Sequence, residues 1–358
     1  MVLEGKMRQL ITAATLAPSG ENCQPWRFVI NGNELQLFNV PERDDSLYNF
    51  RQRGSLVAHG ALLENFTIAA KALGFNADIR LFPDAQNENL VAAIHLENAE
   101  PVADPLYAAI TARSTNRKPY ANESLTTSER ESINAAGVST SCRFVLIEQK
   151  ESISTWATAA SANERVMFEH HGLHDFFFSH LNWTDAEEQE RRHGFYIKTL
   201  ELQPPQVIGM KIAKHWAVAS VLNRLGLSKQ VAADNIKSNS AAAAIGGVVI
   251  HGERPQDFVE AGRIVERVWL TVTNLGLSLQ PITGALFLAE LVREGDASVF
   301  SPAHVALLQE VERTAEKLCG ADSGERVAMM FRIGRGEPPS GRSSRLRLEE
   351  FVTSTQPA

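Results

Sequence analysis

The chain has 358 residues, 44% of them hydrophobic, and a formal net charge of -7. That length suggests about two domains, and the hydrophobic share suits a globular protein with a large core. The acidity argues against an extended nucleic-acid surface, which needs a basic face, but leaves room for a local basic pocket around one phosphorylated ligand.

Cys23, Cys142 and Cys319 stand far apart, with no C-x-x-C pair. Neither a disulfide framework nor a zinc site is indicated, and a reducing cytoplasm is expected. The N-terminal stretch lacks the layout of a signal sequence, and no apolar run reaches the roughly 18 residues of a membrane span. Met7, Leu10, Ile11 and Ala14 fall at helical spacing, so a helix is predicted over 5–16, ended by Pro18 and Gly20. The stretch APSGENCQPWRFVI (17–30) follows. It joins a turn crowded with Asn, Gln and Trp to an apolar run.

Strands are predicted over 26–30 and 35–40, around the hairpin signal Asn31-Gly32. A strongly apolar helix is predicted over 55–73, closed by Gly74, then strands at 77–82 and 90–96. Residues 101–109 link to a second unit. It opens with a helix over 103–112 and the sequence RSTNRKPY. A helix over 127–136 and a strand over 142–149 come next. Residues 151–240 read as mostly helical and rich in charge, His and aromatics. Small residues then lead into a strand within 241–252. A second long apolar helix is predicted over 257–276, a helix over 302–318, a strand over 326–336, and last a basic tail.

An internal repeat is visible. Gly60, Glu64, Leu73 and Gly74 recur as Gly262, Glu266, Leu275 and Gly276, at an offset of 202. Arg27-Phe28-Val29-Ile30 resembles Arg143-Phe144-Val145-Leu146, at an offset of 116. The difference is an insertion of 86 residues in the second unit. Duplication explains both matches in the same order; the plain alternative is that apolar helices ending in Leu-Gly are common.

Four pieces can carry chemistry. RSTNR (113–117) offers two forked donors and hydroxyls, as a phosphate monoester needs, or is a solvated charged loop. GRSSRLRLEEF (341–351), with Arg342, Arg345 and Arg347, is a second clamp or a disordered basic tail; the alternation in LRLEEFV suggests a docking strand. QPITG, around Pro281 and Gly284, allows close backbone approach to a flat ligand, or is an ordinary helix connection. In FEHHGLHDFFFSHLNW (168–183), His170 and His174 with Glu169, Asp175 and His180 have metal-type side chains. No H-E-x-x-H pattern accompanies them, so packing over a ligand or the core is the preferred reading. No G-x-G-x-x-G, Walker loop or G-x-S-x-G elbow is found.

Together these pieces resemble the nitroreductase family. APSGENCQPWRF resembles its Pro-Ser-x-x-Asn-x-Gln-Pro-Trp flavin turn, and RSTNR its Arg-x-Ser/Thr-x-Arg/Lys phosphate motif. QPITG is similar to its Pro-Ile-Glu-Gly loop, and SSRLR to its C-terminal phosphate contact. The order differs from that of ordinary members, where the phosphate motif precedes the turn and two subunits share each flavin. Here the motif heads the second repeat, so one chain can supply both halves. That layout resembles the fused, Acg-type branch.

The resemblance implies an α+β fold of two fused nitroreductase-like modules with mixed or antiparallel sheets. Their extents would be 1–100, then 101–150 with 241–358, and 151–240 would be a helical lid. It implies FMN, with Arg113, Thr115, Arg117 and Arg345 on the phosphate and Pro18, Ser19 and Asn22 at the ring edge. Pro281, Thr283 and Gly284 would lie at the flavin, the Thr283 N–H facing N5. Gln24 and Trp26 would brace the turn. The implied activity is hydride transfer from NAD(P)H, NADPH included, to a nitroaromatic or quinone-like acceptor. The alternative is a lidded FMN-storage protein with little turnover. The chain would act as a cytoplasmic pseudo-dimeric monomer or as a homodimer.

Overall fold

Two long helices cross at the centre of the molecule. In the computed structural model, which describes residues 5–354, they span Arg53–Leu73 and Pro255–Asn274. Both carry buried residues around most of their circumference, as a helix enclosed by protein must. The crossing is set by two glycines. A Cβ on Gly60 would lie 1.9 Å from the carbonyl oxygen of Val259, and one on Gly262 would lie 2.0 Å from that of Val57. The repeated glycines therefore meet each other across a pseudo-twofold contact, which is why each half carries one in mid-helix.

One mixed sheet flanks this pair. It contains β1 (Trp26–Asn31), β2 (Glu34–Asn39), β3 (Phe75–Leu81) and β4 (Leu90–Asn98), antiparallel in the order β1-β2-β4-β3. Trp26, Phe28 and Ile30 point into the core at period two, and Leu35 and Leu37 do the same from the partner strand. The second sheet is antiparallel throughout. Its strands are β5 (Cys142–Ile147), β6 (Ala244–His251), β7 (Ser278–Pro281) and β8 (Glu325–Gly334), in the order β5-β6-β8-β7.

The C-terminal end crosses over. β9 (Val352–Ser354) pairs in parallel with β1, Phe28 opposite Val352. The last residues thus extend the first sheet, although the sequence assigns 241–358 to the second module. The strand is also shorter than the alternation in LRLEEFV predicts. Leu348–Glu350 forms a single 3₁₀ turn, because the Glu350 carboxylate accepts the Arg347 N–H at 3.0 Å. Phe351, 1% exposed, anchors the end against Trp26.

The 151–240 insertion is helical, as expected, with one two-residue parallel bridge between Leu181–Asn182 and Phe195–Tyr196. Met167, Phe168, Phe178, Leu181 and Ala213 give it a small core of its own. Its histidines serve packing. His170 accepts the Leu173 N–H at the start of a helix, and its other ring nitrogen lies 2.9 Å from the Val299 carbonyl. His174 Nε2 lies 2.8 Å from the Ala213 carbonyl. Among the described residues no group of three or more metal-type ligands converges, and no helix is long and apolar enough to cross a membrane.

Candidate phosphate and flavin site

The turn at 18–24 is held in a conformation that non-glycine residues rarely adopt. Glu21, Asn22 and Gln24 have φ of 43°, 58° and 52°. Left-handed backbone at such residues costs on the order of 1–3 kcal/mol each and persists where the surroundings fix it. Gln24 does much of that fixing. Its N–H donates to Ser19 Oγ at 2.9 Å, its Oε1 accepts the Leu346 N–H at 2.9 Å, and its Nε2 donates to the Arg192 carbonyl at 2.9 Å. It therefore braces the turn against both the C-terminal arm and the insertion. Trp26, fully buried, packs edge-on to His59 at 6.3 Å.

The C-terminal arm lies across this turn. Arg345 donates from Nη1 to Asn22 Oδ1 at 2.8 Å and from Nη2 to the Leu16 and Ala17 carbonyls at 3.1 and 3.2 Å. Asn22 Nδ2 in turn donates to the Ser344 carbonyl at 2.9 Å. Arg113 reaches the same helix end, donating from Nη2 to the Leu16 carbonyl at 2.6 Å. Two guanidinium groups thus sit on carbonyls just past the end of the helix Gly5–Thr15, beside the negative end of its dipole.

These segments enclose a cleft of about 120 Å³. Pro18, Ser19 and Asn22 line it from the turn. Arg113, Thr115 and Arg117 line it from the second unit, and Arg345 from the tail. Seven of the ten residues expected at the flavin therefore meet in one place, from three stretches far apart in sequence. Pro281, Thr283 and Gly284 do not line it. Pro281 ends β7 opposite Phe331, and Thr283 caps the helix Gly284–Arg293. At Gly284, where approach by a flat ligand was anticipated, the insertion makes a close contact: a Cβ there would lie 2.3 Å from Asn163 Oδ1.

The cleft is cationic and poorly compensated. Burial pushes the Arg345 guanidinium down to about 9, with Arg113 adding repulsion, and burial pushes Arg117 down to about 10, with Arg332 adding to it. Arg345 Nε and Arg113 Nε are buried without a hydrogen-bond partner among the described residues. Arg113 Nε stands 3.1 Å from the Glu266 carboxylate, but off the line of a hydrogen bond. Burial raises Glu266 to about 7 despite the opposing pull of Arg113. Its compensation of the cations is correspondingly weak. Arg113 also lies over the Trp269 ring at 4.6 Å. Unsatisfied guanidinium donors beside the hydroxyls of Ser19 and Thr115 suit a phosphate monoester.

Sequence reasoning missed the walls supplied by the insertion. Gly194, Phe195 and Thr199 line the cleft, and Arg117 donates to the Thr199 carbonyl at 3.1 Å. No motif marks them. It also passed over Glu21, which stands on the cleft wall inside the quoted turn. Burial, with Asp44 nearby, raises its carboxyl to about 8. A larger hollow, about 640 Å³, is lined by Leu81, Ser141, His251 and Glu260 among others and touches none of the anticipated residues.

No family model matches the chain. It is 25% identical over 329 residues to the uncharacterized protein MT1398 of Mycobacterium tuberculosis, covering 92% of this chain and 45% of that protein. It is 32% identical over 124 residues to the putative NAD(P)H nitroreductase acg of M. tuberculosis, covering 34% of this chain and 38% of the relative. Over that third of the chain it is similar to proteins named as putative nitroreductases. It spans less than half the length of the curated relatives it matches. The solved NADPH:FMN oxidoreductase of Vibrio harveyi, complexed with NAD+, aligns over 71% of this chain and 78% of its own at 12% identity, with a TM-score of 0.38.

Proposed function

We propose that the chain binds FMN between its two halves and passes electrons from NAD(P)H to a small acceptor of the nitroaromatic or quinone class. The observation that carries this is the meeting of Asn22, Arg113, Arg117 and Arg345 around buried, unsatisfied guanidinium donors. Arg113, Arg117, Arg345 and Thr115 would hold the phosphate. Pro18, Ser19 and Asn22 would face the ring edge. Pro281, Thr283 and Gly284 would approach the ring only after Asn163 withdraws from Gly284. FMN, when bound, supplies both acceptor and donor of the hydride. The protein binds, orients and encloses it.

The phosphate end fits the present geometry better than the ring end. A cofactor pocket usually measures roughly 300–1,000 Å³, against about 120 Å³ in this cleft. The Arg192 carbonyl and the Asn163 amide occupy the approaches, so the insertion must shift to admit a flat ring system. That observation favours a second reading, an FMN-holding protein with slow turnover, on the same residues.

An absorbance spectrum of protein loaded with FMN, followed by anaerobic NADPH and NADH titration, separates the two. Bleaching within seconds supports the oxidoreductase. Bound flavin that stays oxidised for minutes supports the holding protein. Failure to retain FMN at all removes both.

A further inference from the structure

The insertion carries a surface that the flavin site does not use. Ile208 and Ile212 stand one turn apart on the helix Pro204–Ala213, 60% and 53% exposed. Val218, Val221 and Leu225 follow at i, i+3 and i+7 along the helix Trp216–Arg224 and its cap; Leu225 is 80% exposed. The two helices pack on each other and turn Ala213 and Ala219 inward. Five of the eight large exposed aliphatic side chains among the described residues therefore lie within eighteen residues of chain.

Charge is segregated onto the same stretch. From Leu202 to Ala233 there is no Asp or Glu, while Lys211, Lys214, Arg224 and Lys229 are present and exposed, in a chain whose net charge is -7. Apolar stripes flanked by lysines, on helices lying along a surface, are the pattern of an interfacial segment. An ordinary solvated face of an acidic protein would carry both signs.

We propose that the helices Pro204–Ala213 and Trp216–Arg224 dock this protein onto the surface of an anionic lipid bilayer. Ile208, Ile212, Val218, Val221 and Leu225 enter the headgroup boundary, and Lys211 and Lys214 meet lipid phosphates. The occupant is specified by the charge. A second copy of the chain would bring the same four cations against these, and an apolar pocket would not explain the missing acidic residues. Lipid attraction to such cations is short-ranged and screened by salt.

The test is co-sedimentation of the full chain with vesicles of phosphatidylcholine alone, or with about 30 mol% phosphatidylglycerol. At least about fivefold more protein is expected to pellet with the anionic vesicles, and that excess should vanish in about 0.5 M salt. Ile212→Glu with Leu225→Glu should abolish pelleting, and Lys211→Glu with Lys214→Glu should reduce it to the neutral-vesicle level. Both pairs are exposed, so unchanged circular dichroism and flavin content are expected alongside. Equal pelleting with both vesicle types, or pelleting that neither pair alters, overturns the proposal. So does a dimer, seen by light scattering, that Leu225→Glu dissociates while vesicle binding is absent.

Discussion

The carboxamide oxygen of Asn22 accepts a hydrogen bond of 2.8 Å from Arg345, which lies 323 residues further along the chain. That bond ties the turn of the first half to the arm that closes the second. Arg345 serves four acceptors among the described residues, through two separate nitrogens. A lysine cannot span that fork. Arg345→Lys should therefore weaken FMN binding about tenfold or more, since a hydrogen bond to a charged group contributes roughly 1.5–3 kcal/mol. Quenching of flavin fluorescence on titration measures it, and an unaltered Kd would remove Arg345 from the phosphate site.

Arg113 and Arg117 should behave differently from each other. Among the described residues Arg117 has one hydrogen bond, at the Thr199 carbonyl, so Arg117→Ala should cost flavin affinity and little stability. Arg113 stands beside Glu266, which is wholly buried. Its removal leaves that carboxyl uncompensated, a change that costs up to about 3–5 kcal/mol when the charge persists. Glu266 already titrates near 7, so part of this is relieved by protonation. Adding Glu266→Gln to Arg113→Ala should recover most of the stability but none of the FMN affinity. If flavin content returned as well, Arg113 would be a folding residue only. Urea melts and flavin-to-protein ratios on these three variants decide it.

Much of this was legible beforehand, and the reason is local. The long helices, the strands β1 and β8, and the repeat all show in apolar periodicity and in the spacing of Gly60 with Gly262. The turn and the two arginine motifs show because each needs particular residue types. What escaped was contributed by tertiary contact alone. Gly194, Phe195 and Thr199 enter the cleft because the insertion folds over it, and nothing in their own sequence says so. Gly284 was read as a place where a flat ligand could approach the backbone, and sequence could not say that Asn163 would stand against it. The tail strand was overextended because alternation in LRLEEFV ignores the Arg347–Glu350 turn that delays it.

The glycine crossing gives a prediction of opposite signs for one substitution. Gly60→Ala or Gly262→Ala drives a methyl group into a backbone carbonyl that neither helix can move freely. Each should destabilise by at least about 1–3 kcal/mol, as overpacking does. Gly209→Ala sits in an exposed helix with nothing within 4 Å of the new carbon. It should stabilise slightly, by about 0.5–1 kcal/mol. Paired denaturation curves test both, and a neutral Gly262→Ala would mean that the helices do not meet as described.

Stability of the ligand-free protein should fall as pH rises from about 6 to about 8. Burial raises Glu21 to about 8 and Glu164 to about 7, both above the ordinary value of 4.5. The folded state then holds protons that the unfolded state has released, so their stabilising effect is complete below the unfolded value and is lost through the folded one. His59 works the other way. Burial holds it near 4, so its neutral form costs stability as pH falls below 6.5. The melting temperature should be highest on the mildly acidic side and lower by at least about 2 °C at pH 8. Glu21→Gln should flatten the alkaline limb. A melting temperature that climbs toward pH 8 would contradict the burial of Glu21.

Flavin entry should move the insertion. The cleft as it stands is too small for an isoalloxazine ring, and polar contacts tie its roof to the turn. Asn22 and Gln24 both donate to the single carbonyl of Arg192, at 3.3 and 2.9 Å, and Arg117 holds Thr199. A few partly buried hydrogen bonds of this kind can open locally at less cost than the core. Hydrogen exchange with and without FMN should then show two opposite changes. Amides of 192–200 and around Asn163 should exchange faster with ligand, while those of 18–24 and 343–346 should slow as the phosphate is gripped. Slower exchange in every one of these segments would mean that the insertion clamps down without having been displaced. The ring would then have to lie outside the cleft, and the assignment of Ser19 and Asn22 to its edge would fail.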